Sequence, residues 1–455
     1  MDTFFLVLRP FGCKLAAAVV NMRATQFQFS RPRGNSKKPF LSVTSTSVVH
    51  VLMRFLLMLP AMASAQFNYT TNSGAITITG YTGPGGAVVI PGTTNGLPVT
   101  SIGDFAFFNI ANFTDITIPN GVTNIGSYAF YSCSGLTNLV IPGNVASIGQ
   151  YAFSYCSKLT TVIIPSSVNA IGISAFRVCI KLTSINVENL NSSYSSLDGV
   201  LYDKNQTALI QFPAGKAANQ FVVPSSVTTI GSFGFDSCAG LTNVLIGDSV
   251  TAIGFYAFSF CTSLTSVTIP HGITAIEADT FYFCPSLTNV IIPNGVTYIG
   301  TFAFYNCSSL TNITIPSSVT NIDNFAFNQC VRMSAFYFEG NAPTNGTGIF
   351  NGDTNSIIYY LPGKSGWGPF FGGRPTALWK PQVQTSDGTF GVRTNKFGFT
   401  INWASSLVVV VEICTNLTNP TWSPLQTNTL TGNTFYFSDS DWTNSPSRFY
   451  RLRAL

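Results

Sequence analysis

The chain has 455 residues, of which 45% are apolar and only 9% are charged, whereas about 25% of the residues in an average soluble domain are charged. The net charge of +5 comes from the first 65 residues, so residues 66–455 hold 14 basic and 16 acidic side chains. A slightly negative body offers no electrostatic attraction to phosphate backbones, which excludes nucleic acid as an expected partner.

The N-terminal part of the chain ends in an export signal. A basic residue precedes the apolar run 55–62, and Ala63-Ser64-Ala65 fits the small-residue rule for signal-peptide cleavage. We expect a signal peptide at 53–65, a mature chain that begins at or near Gln66, and a stretch 1–52 that is not part of the mature protein. The apolar run is far shorter than the roughly 20 residues that span a bilayer, so no stable transmembrane segment is expected in the mature chain.

Residues 66–89 alternate apolar and polar side chains around Ser-Gly and Pro-Gly-Gly turn signals. This pattern predicts a β-hairpin. Because the repeats that follow must expose an apolar layer at each end, we expect 66–89 to form a β cap at the N-terminal end of the array.

A unit of 23 residues recurs through 90–340. Eight copies have this length, and they begin at residues 118, 141, 164, 223, 246, 269, 292 and 315. Each copy has a cysteine at the same position: Cys133, Cys156, Cys179, Cys238, Cys261, Cys284, Cys307 and Cys330. A longer relative begins at Ile90, and a degenerate unit of 36 residues occupies 187–222. Self-similarity at this period predicts a solenoid.

Within one unit the apolar spacing changes. Phe130, Cys133 and Leu136 recur every three residues, which predicts one face of a short helical turn, whereas Leu139 and Ile141 alternate as in a strand. We therefore predict a β-rich α/β solenoid, in which each unit is a short helical turn followed by a short parallel strand. Stacked strands would lie about 4.8 Å apart and enclose one continuous apolar interior.

These residues carry a family resemblance. Leu136-x-x-Leu139-x-Ile141 matches the strand signature of leucine-rich repeats, and the unit IPxxVTxIGxxAFxxCxxLTxVx resembles the BspA-like subclass of bacterial surface proteins. The resemblance covers about 90–340, and the 36-residue unit resembles an interruption found in that family. We interpret GVLYD and ALIQFP of this unit as a hairpin that projects from the array. The resemblance implies a secreted or cell-surface scaffold for binding or adhesion, with an extracellular protein or glycan as its ligand.

The C-terminal part departs from the repeat. Residues 341–379 lose the cysteine and the 23-residue length, and we expect them to cap the array, with Trp367 and Trp379 covering its last layer. From residue 380 to 455 alternating strands are separated by turn signals about every 8–12 residues, which predicts a small all-β sandwich. It resembles the C-terminal modules that follow repeats in exported bacterial proteins.

Residues suited to catalysis or metal binding are sparse. His271, the single histidine after the leader, indicates an exposed turn, not a catalytic base or a zinc ligand. Glu188, Asp198 and Asp203 lie close together in the interruption and could serve a glycosidase, which needs two carboxylates, although Asp-Gly in a hairpin is usually turn chemistry. We predict no catalytic, cofactor-binding or metal-binding residues. The alternatives are a carbohydrate-active enzyme or sugar-binding accessory that uses the interruption or a row of aromatic residues, and a purely structural envelope component.

Two rows of side chains form the predicted ligand-binding surface. The strand row consists of small polar residues at outward strand positions on the concave sheet: Asn138, Thr161, Ser184, Asn243, Ser266, Asn289 and Asn312. The aromatic row consists of the residues just before each Ala-Phe or Gly-Phe pair: Tyr128, Tyr151, Phe233, Tyr256, Phe302 and Phe325. Aromatic rows bind sugars or proteins, or they stack on one another to cover the edge of a core, and we favour stacking.

The recurring cysteine also allows two interpretations. Stacked repeats bring equivalent Cα atoms roughly 5 Å apart, which lies inside the range for a disulfide. Equivalent residues have parallel Cβ vectors, however, and a disulfide needs them to converge to about 3.8 Å. Free cysteine is among the most buried residue types. We therefore predict a column of reduced, buried thiols from Cys133 to Cys330, interrupted at 187–222.

Overall fold

The structure is a computed structural model that describes residues 66–403, 407–432, 434–445 and 447–454. The expected signal peptide at 53–65 and the stretch 1–52 lie outside the described residues. The described part begins with a β-solenoid of about 12 coils, with a repeat of about 23 residues, and ends in antiparallel sheets. None of the described residues is helical.

Each coil carries two short strands, and each strand stacks in parallel on its equivalents. The first strand contains the VTxI part of the unit, whose isoleucine points inward and whose neighbours pair in register. The first strands are Leu97–Ile102, Asn124–Ile125, Ser147–Ile148, Ala170–Ile171, Thr229–Ile230, Ala252–Ile253, Ala275–Ile276, Tyr298–Ile299, Asn321–Ile322 and Thr344–Asn345.

The second strand contains the LTxVxI part of the unit. Threonine side chains link its successive coils, since the Thr288 hydroxyl donates to the Thr265 carbonyl over 3.1 Å and the Thr265 hydroxyl to the Thr242 carbonyl over 3.0 Å. The second strands are Gly86–Val89, Phe113–Thr117, Asn138–Leu139, Thr161–Ile164, Ser184–Val187, Gln220–Val222, Asn243–Leu245, Ser266–Thr268, Asn289–Ile291, Asn312–Ile315, Ala335–Phe338, Ile357–Tyr360 and Arg374–Leu378.

The predicted helical turn is wrong. The segment between the two strands folds as successive turns, with φ of 56° at Tyr128 and 60° at Ser132. Alternate N–H groups leave the segment: that of Phe130 donates to the Ala152 carbonyl of the next coil over 2.7 Å, whereas that of Tyr131 donates back to Tyr128. An α-helix would direct its N–H groups into its own segment and would not link the coils. The spacing of three apolar residues fits both conformations.

Phenylalanine, leucine, isoleucine, valine and cysteine side chains fill the interior of the coils. The rings of Phe130 and Phe153, for example, stack at 5.1 Å with an angle of 3° between their planes. All eight repeat cysteines are free and buried, which confirms the predicted column of buried thiols. The interior is divided into two clusters at the irregular unit.

The irregular unit is an antiparallel sheet that belongs to the array. The predicted hairpin of GVLYD and ALIQFP is present, but it does not project. Leu201, Tyr202 and Leu209 are at most 1% exposed, and Ala208–Gln211 pairs in parallel with the next coil at Thr229–Ile230. The apolar residues of the hairpin therefore complete the core instead of facing solvent. The strands of this sheet are Tyr194–Leu197, Val200–Asp203 and Ala208–Gln211.

The two ends of the array have different coverings. At the N-terminal end, Phe67–Asn72 and Ala75–Tyr81 form an antiparallel hairpin. Its second strand pairs in parallel with Leu97–Ile102, the first strand of the first coil. At the other end, the Trp367 ring lies 4.9 Å from that of Phe338. Two further short strands, Thr93–Thr94 and Phe370–Phe371, pair antiparallel with their neighbours.

The C-terminal residues form two antiparallel sheets that share one core. This core contains Phe399 and Ile401 from one sheet and Val411 from the other. Leu361, from the end of the solenoid, packs in the same core. The Trp403 indole N–H also donates to the Trp379 carbonyl over 3.2 Å. The first sheet holds Gln382–Gln384, Gly391–Arg393, Lys396–Asn402 and Thr434–Asp439, and the second holds Val408–Cys414, Ser423–Thr429 and Phe449–Ala454.

Candidate functional site

The strand row lies on the sheet formed by the stacked second strands, and it is divided into two groups. Register places Thr161 beside Ser184, and places Ser266 between Asn243 and Asn289. All seven residues are exposed or half-exposed. The irregular unit separates the group 138–184 from the group 243–312, because the strand Ser184–Val187 pairs only with the coil before it, Thr161–Ile164, among the described strands. The last member, Asn312, lines a small cleft against Trp379 and Trp403 beside the C-terminal sheets.

An apolar row, which was not predicted from the sequence, lies beside the strand row. Its members stand two residues beyond the position of the strand row, on the same face, and their side chains are between 46% and 74% exposed. The apolar row is discontinuous, because Asn186, Thr268 and Thr314 occupy this position in other coils. A reading of the outward positions to the end of each strand would have revealed it. The apolar row consists of Val140, Ile163, Val222, Leu245 and Ile291.

The aromatic row is a column of stacked rings. Tyr128 stacks on Tyr151 at 5.0 Å, and Phe233 stacks on Tyr256 at 4.9 Å. The favoured stacking interpretation therefore describes most of the row. The column has two gaps, at the coils in which Ser174 and Asp279 stand at the ring position.

Arg177 fills the first gap. Its guanidinium carbon lies 4.8 Å from the centroid of the Phe233 ring, and it binds Asp236 through Nε at 3.1 Å and Nη2 at 3.2 Å. Asp236 is fully buried and also accepts hydrogen bonds from Ser259 and Ser237. Despite burial, the carboxylate of Asp236 keeps the pKa of Arg177 above its usual value. This ion pair joins coils on the two sides of the irregular unit.

A cavity of about 570 Å³ lies at the second gap. We call it the Asp279 cavity. Asp279 is 7% exposed, and burial raises the pKa of its carboxyl to about 6, against a hydrogen bond from Tyr256 that acts in the opposite direction. The sequence signal for this site is the replacement of the usual aromatic residue by an acid in one repeat. The other lining residues are Tyr151, Arg177, Phe233, Tyr256, Phe260, Tyr282, Phe302 and Tyr305.

The acidic residues of the irregular unit have structural contacts. Asp203 accepts hydrogen bonds from the Ala208 N–H and the Thr207 hydroxyl, over 2.8 and 2.6 Å. Asp198 stands in a tight turn at φ 49° and pairs with Lys216 at 3.1 Å. The turn interpretation of Asp198 is therefore confirmed, whereas Asp203 ends a strand and binds the turn that follows it. The Glu188 carboxylate accepts a hydrogen bond from the Ser166 N–H over 2.8 Å. His271 is an exposed turn residue, as expected.

Within the described ranges, no three His, Cys, Asp or Glu side chains are grouped so that they could hold a metal ion. The same residues contain no helix with the length and apolar character that a membrane crossing requires.

The repeat units define a leucine-rich repeat array. The family model described as "BspA type Leucine rich repeat region (6 copies)" matches residues 93–198, 212–334 and 274–364. The chain therefore belongs to the BspA-type leucine-rich repeat family. No curated protein is similar enough to the chain to be matched.

Several solved bacterial structures are similar to the chain. A leucine-rich cell surface protein from Faecalibacterium prausnitzii is 30% identical, with 60% of this chain and 93% of that chain covered and a TM-score of 0.38. The pneumococcal vaccine antigen PcpA is 19% identical, with coverages of 66% and 92% and a TM-score of 0.49. A leucine-rich repeat protein from Eubacterium ventriosum is 23% identical, with coverages of 67% and 95% and a TM-score of 0.46.

Proposed function

We propose that the protein is exported and acts at the bacterial cell surface as a non-catalytic scaffold for binding or adhesion, with an extracellular protein or glycan as its ligand. The observation that carries this proposal is the sheet of stacked second strands. There all seven members of the strand row are exposed or half-exposed, and in several coils an exposed apolar side chain, such as Ile291 after Asn289, lies beside the row. Regular exposed surfaces of this kind are how solenoids bind large ligands. Membership of a family with cell-surface members supports the location.

A sugar-binding function is the second candidate. The Asp279 cavity favours it for sugars that carry an amino group, because aromatic rings there are accompanied by a carboxyl, a guanidinium and tyrosine hydroxyls. The three carboxylates considered for a glycosidase each have a structural contact: Glu188 with the Ser166 N–H, Asp198 with Lys216 and Asp203 with the Ala208 N–H. Binding is therefore favoured over hydrolysis.

An array of glycans and extracellular-matrix proteins, probed with the purified chain, tests the proposal. We expect at least one ligand to bind. Because binding energy is spread over equivalent contacts, Asn289→Ala should weaken it only about two- to threefold, whereas deletion of the two units 118–163 should abolish it. Loss of a hydrolytic activity in a variant with Asp198 and Asp203 both changed to alanine would contradict the non-catalytic proposal.

A further inference from the structure

In the aromatic row, rings from adjacent coils stack in parallel, so a coil without a ring interrupts the stack. Phe233 and Tyr256 stack at 4.9 Å, and Phe302 and Phe325 stack at 5.1 Å, with less than 10° between the planes of each pair. Each ring therefore covers one face of the next. Where a coil lacks an aromatic side chain, the parallel stacking is interrupted. The flanking rings then meet other rings at an angle, as Tyr151 meets Phe233 edge to face at 6.3 Å across the first gap.

At the first gap the chain supplies its own cation. Ser174 stands at the ring position, and the Arg177 guanidinium covers the Phe233 ring at 4.8 Å, inside the range of about 6 Å for a cation–π interaction. The Asp236 carboxylate neutralises the guanidinium and accepts two hydrogen bonds from it. A cation held between aromatic rings and a buried carboxylate therefore occurs once in this array, at the first gap.

At the second gap, within the described residues, the Asp279 carboxylate has no paired cation. The Arg177 guanidinium also lines the cavity, 6.0 Å from the centroid of the Tyr256 ring, but it is paired with Asp236. Tyr256 and Phe302 are two coil spacings apart, each roughly 4.8 Å, so a group centred between them would lie about 5 Å from both rings. Tyr282 closes one side, with its centroid 6.5 Å from Tyr256 and 6.4 Å from Phe302. Among the described residues, no basic side chain forms an ion pair with Asp279.

We infer that the Asp279 cavity binds an organic ammonium group, held between the rings of Tyr256 and Phe302 with its charge on the Asp279 carboxylate. This inference rests on the proposed function, since it names the chemistry by which the scaffold recognises a ligand. An alkylammonium group supplies C–H surface to the rings and positive charge to the carboxylate. A neutral sugar would leave a buried carboxylate without a counter-charge, which is costly, and the carboxylate would repel an anion.

The charge of Asp279 makes the expected binding depend on pH. Burial raises the pKa of its carboxyl to about 6, so the carboxylate forms as the pH rises through that value, and ammonium affinity should increase between about pH 5 and 7. The other titratable or charged residues around the cavity are Arg177, paired with Asp236, and the tyrosines at 151, 256, 282 and 305. Arginine and tyrosine side chains do not change charge over this range in ordinary surroundings.

Isothermal titration of the purified chain with three probes tests the site. Choline and Nα-acetyl-lysine amide carry the ammonium group, and 3,3-dimethyl-1-butanol is the neutral isostere of choline. At pH 7.5 we expect one or both ammonium probes to bind and the neutral alcohol not to. Tighter binding of choline would indicate a quaternary ammonium head group as the natural ligand, and tighter binding of Nα-acetyl-lysine amide would indicate a lysine side chain.

Asp279→Asn is the decisive variant, because asparagine keeps the shape of the side chain and tolerates its φ of 57°. It should weaken ammonium binding by about tenfold or more and remove the difference between pH 5 and pH 7.5. Glu277→Gln, the same change at an exposed residue outside the cavity lining, should have no effect. Equal binding of the neutral alcohol, no detectable ammonium binding, or unchanged affinity in Asp279→Asn would overturn the inference.

Asp279→Tyr restores the ring that most other coils carry and should block the cavity while the thermal transition is retained. Its behaviour on the ligand array separates the two proposals. A macromolecule that binds the unchanged chain and Asp279→Tyr equally supports the scaffold and contradicts an ammonium site as its means of recognition. Ammonium binding in the absence of any ligand on the array would support the site and contradict the scaffold.

Discussion

At the scale of single residues, the repeat cysteine combines two roles. It fills the space between the phenylalanine and leucine of its own coil, and its thiol donates a hydrogen bond to the phenylalanine carbonyl of the preceding coil, as from Cys261 Sγ to the Phe235 carbonyl over 3.1 Å. Burial raises the pKa of Cys133, Cys179 and Cys284 to about 12. These thiols therefore remain protonated donors, and they are poor nucleophiles at neutral pH.

Replacement of one cysteine measures this combined role. Cys261→Ala should lower the free energy of unfolding by about 1 kcal/mol, because it leaves a small cavity and removes one hydrogen bond to a buried carbonyl. Cys261→Asp should cost far more, because it buries a charge without a partner. Urea unfolding measures both changes. Mass spectrometry after alkylation of the denatured, unreduced protein provides the control: eight modified repeat cysteines agree with the thiol column, and cross-links between neighbours contradict it.

At the scale of elements, the turn segment forms hydrogen bonds between the coils, but its backbone is strained. Two residues in each regular unit have positive φ, a conformation that disfavours side chains branched at Cβ. Asparagine adopts it more readily, and Asn109 and Asn306 stand at the second of these positions. Val178 stands at the same position with φ of 57°. Its coil therefore carries strain, which is offset by the hydrogen bonds that its carbonyl groups accept from the preceding coil, such as that from the Tyr155 N–H to the Arg177 carbonyl over 2.8 Å.

Val178→Asn should raise the free energy of unfolding by about 1 kcal/mol, since it relieves this strain and Val178 is only partly buried. Urea unfolding of the two proteins measures the difference. Ile180→Asn is the matched control, because it makes the same kind of change on the same coil at an exposed residue without positive φ. We expect it to alter stability by less than about 0.5 kcal/mol. Equal effects of the two substitutions would contradict the assignment of strain to Val178.

At the scale of the whole molecule, the solenoid consists of two stacks joined at the irregular unit. The interior divides there into two clusters, and the strand row divides at the same place. Arg177 and Asp236, 59 residues apart in sequence, connect the coils on either side. Elsewhere each coil contacts its immediate neighbours, so its stability comes mainly from two equivalent interfaces.

Deletion of one whole unit tests this architecture. Removal of residues 118–140, which are 23 residues long, should leave a cooperative thermal transition, because the flanking coils present the same surfaces to each other. Removal of residues 118–129 should lower and broaden that transition, because it removes the first strand, Asn124–Ile125, from one coil and so disrupts the stacking on both sides of it. Circular dichroism melts and size-exclusion chromatography compare the two proteins. Equal midpoints and equally sharp transitions in the two deletion products would contradict the nearest-neighbour description.

The sequence by itself determined the repeat, its family and the buried cysteine column. It could do so because each coil contacts its neighbours in the same way, so a period in the sequence is a period in the structure. It also identified the members of both rows, whose part in ligand binding stays a prediction.

Only the tertiary structure decided between conformations that share a pattern. Apolar residues at every third position suit a helical turn and a series of non-helical turns equally. The hydrogen bond from the Phe130 N–H to the Ala152 carbonyl of the next coil shows that the turns are non-helical. The irregular unit breaks the period, so the sequence could not show that its hairpin enters the core or that Arg177 meets Asp236. The Asp279 cavity depends on a ring that one coil lacks, and its meaning appears only when the rings of Tyr256 and Phe302 are placed on either side of it.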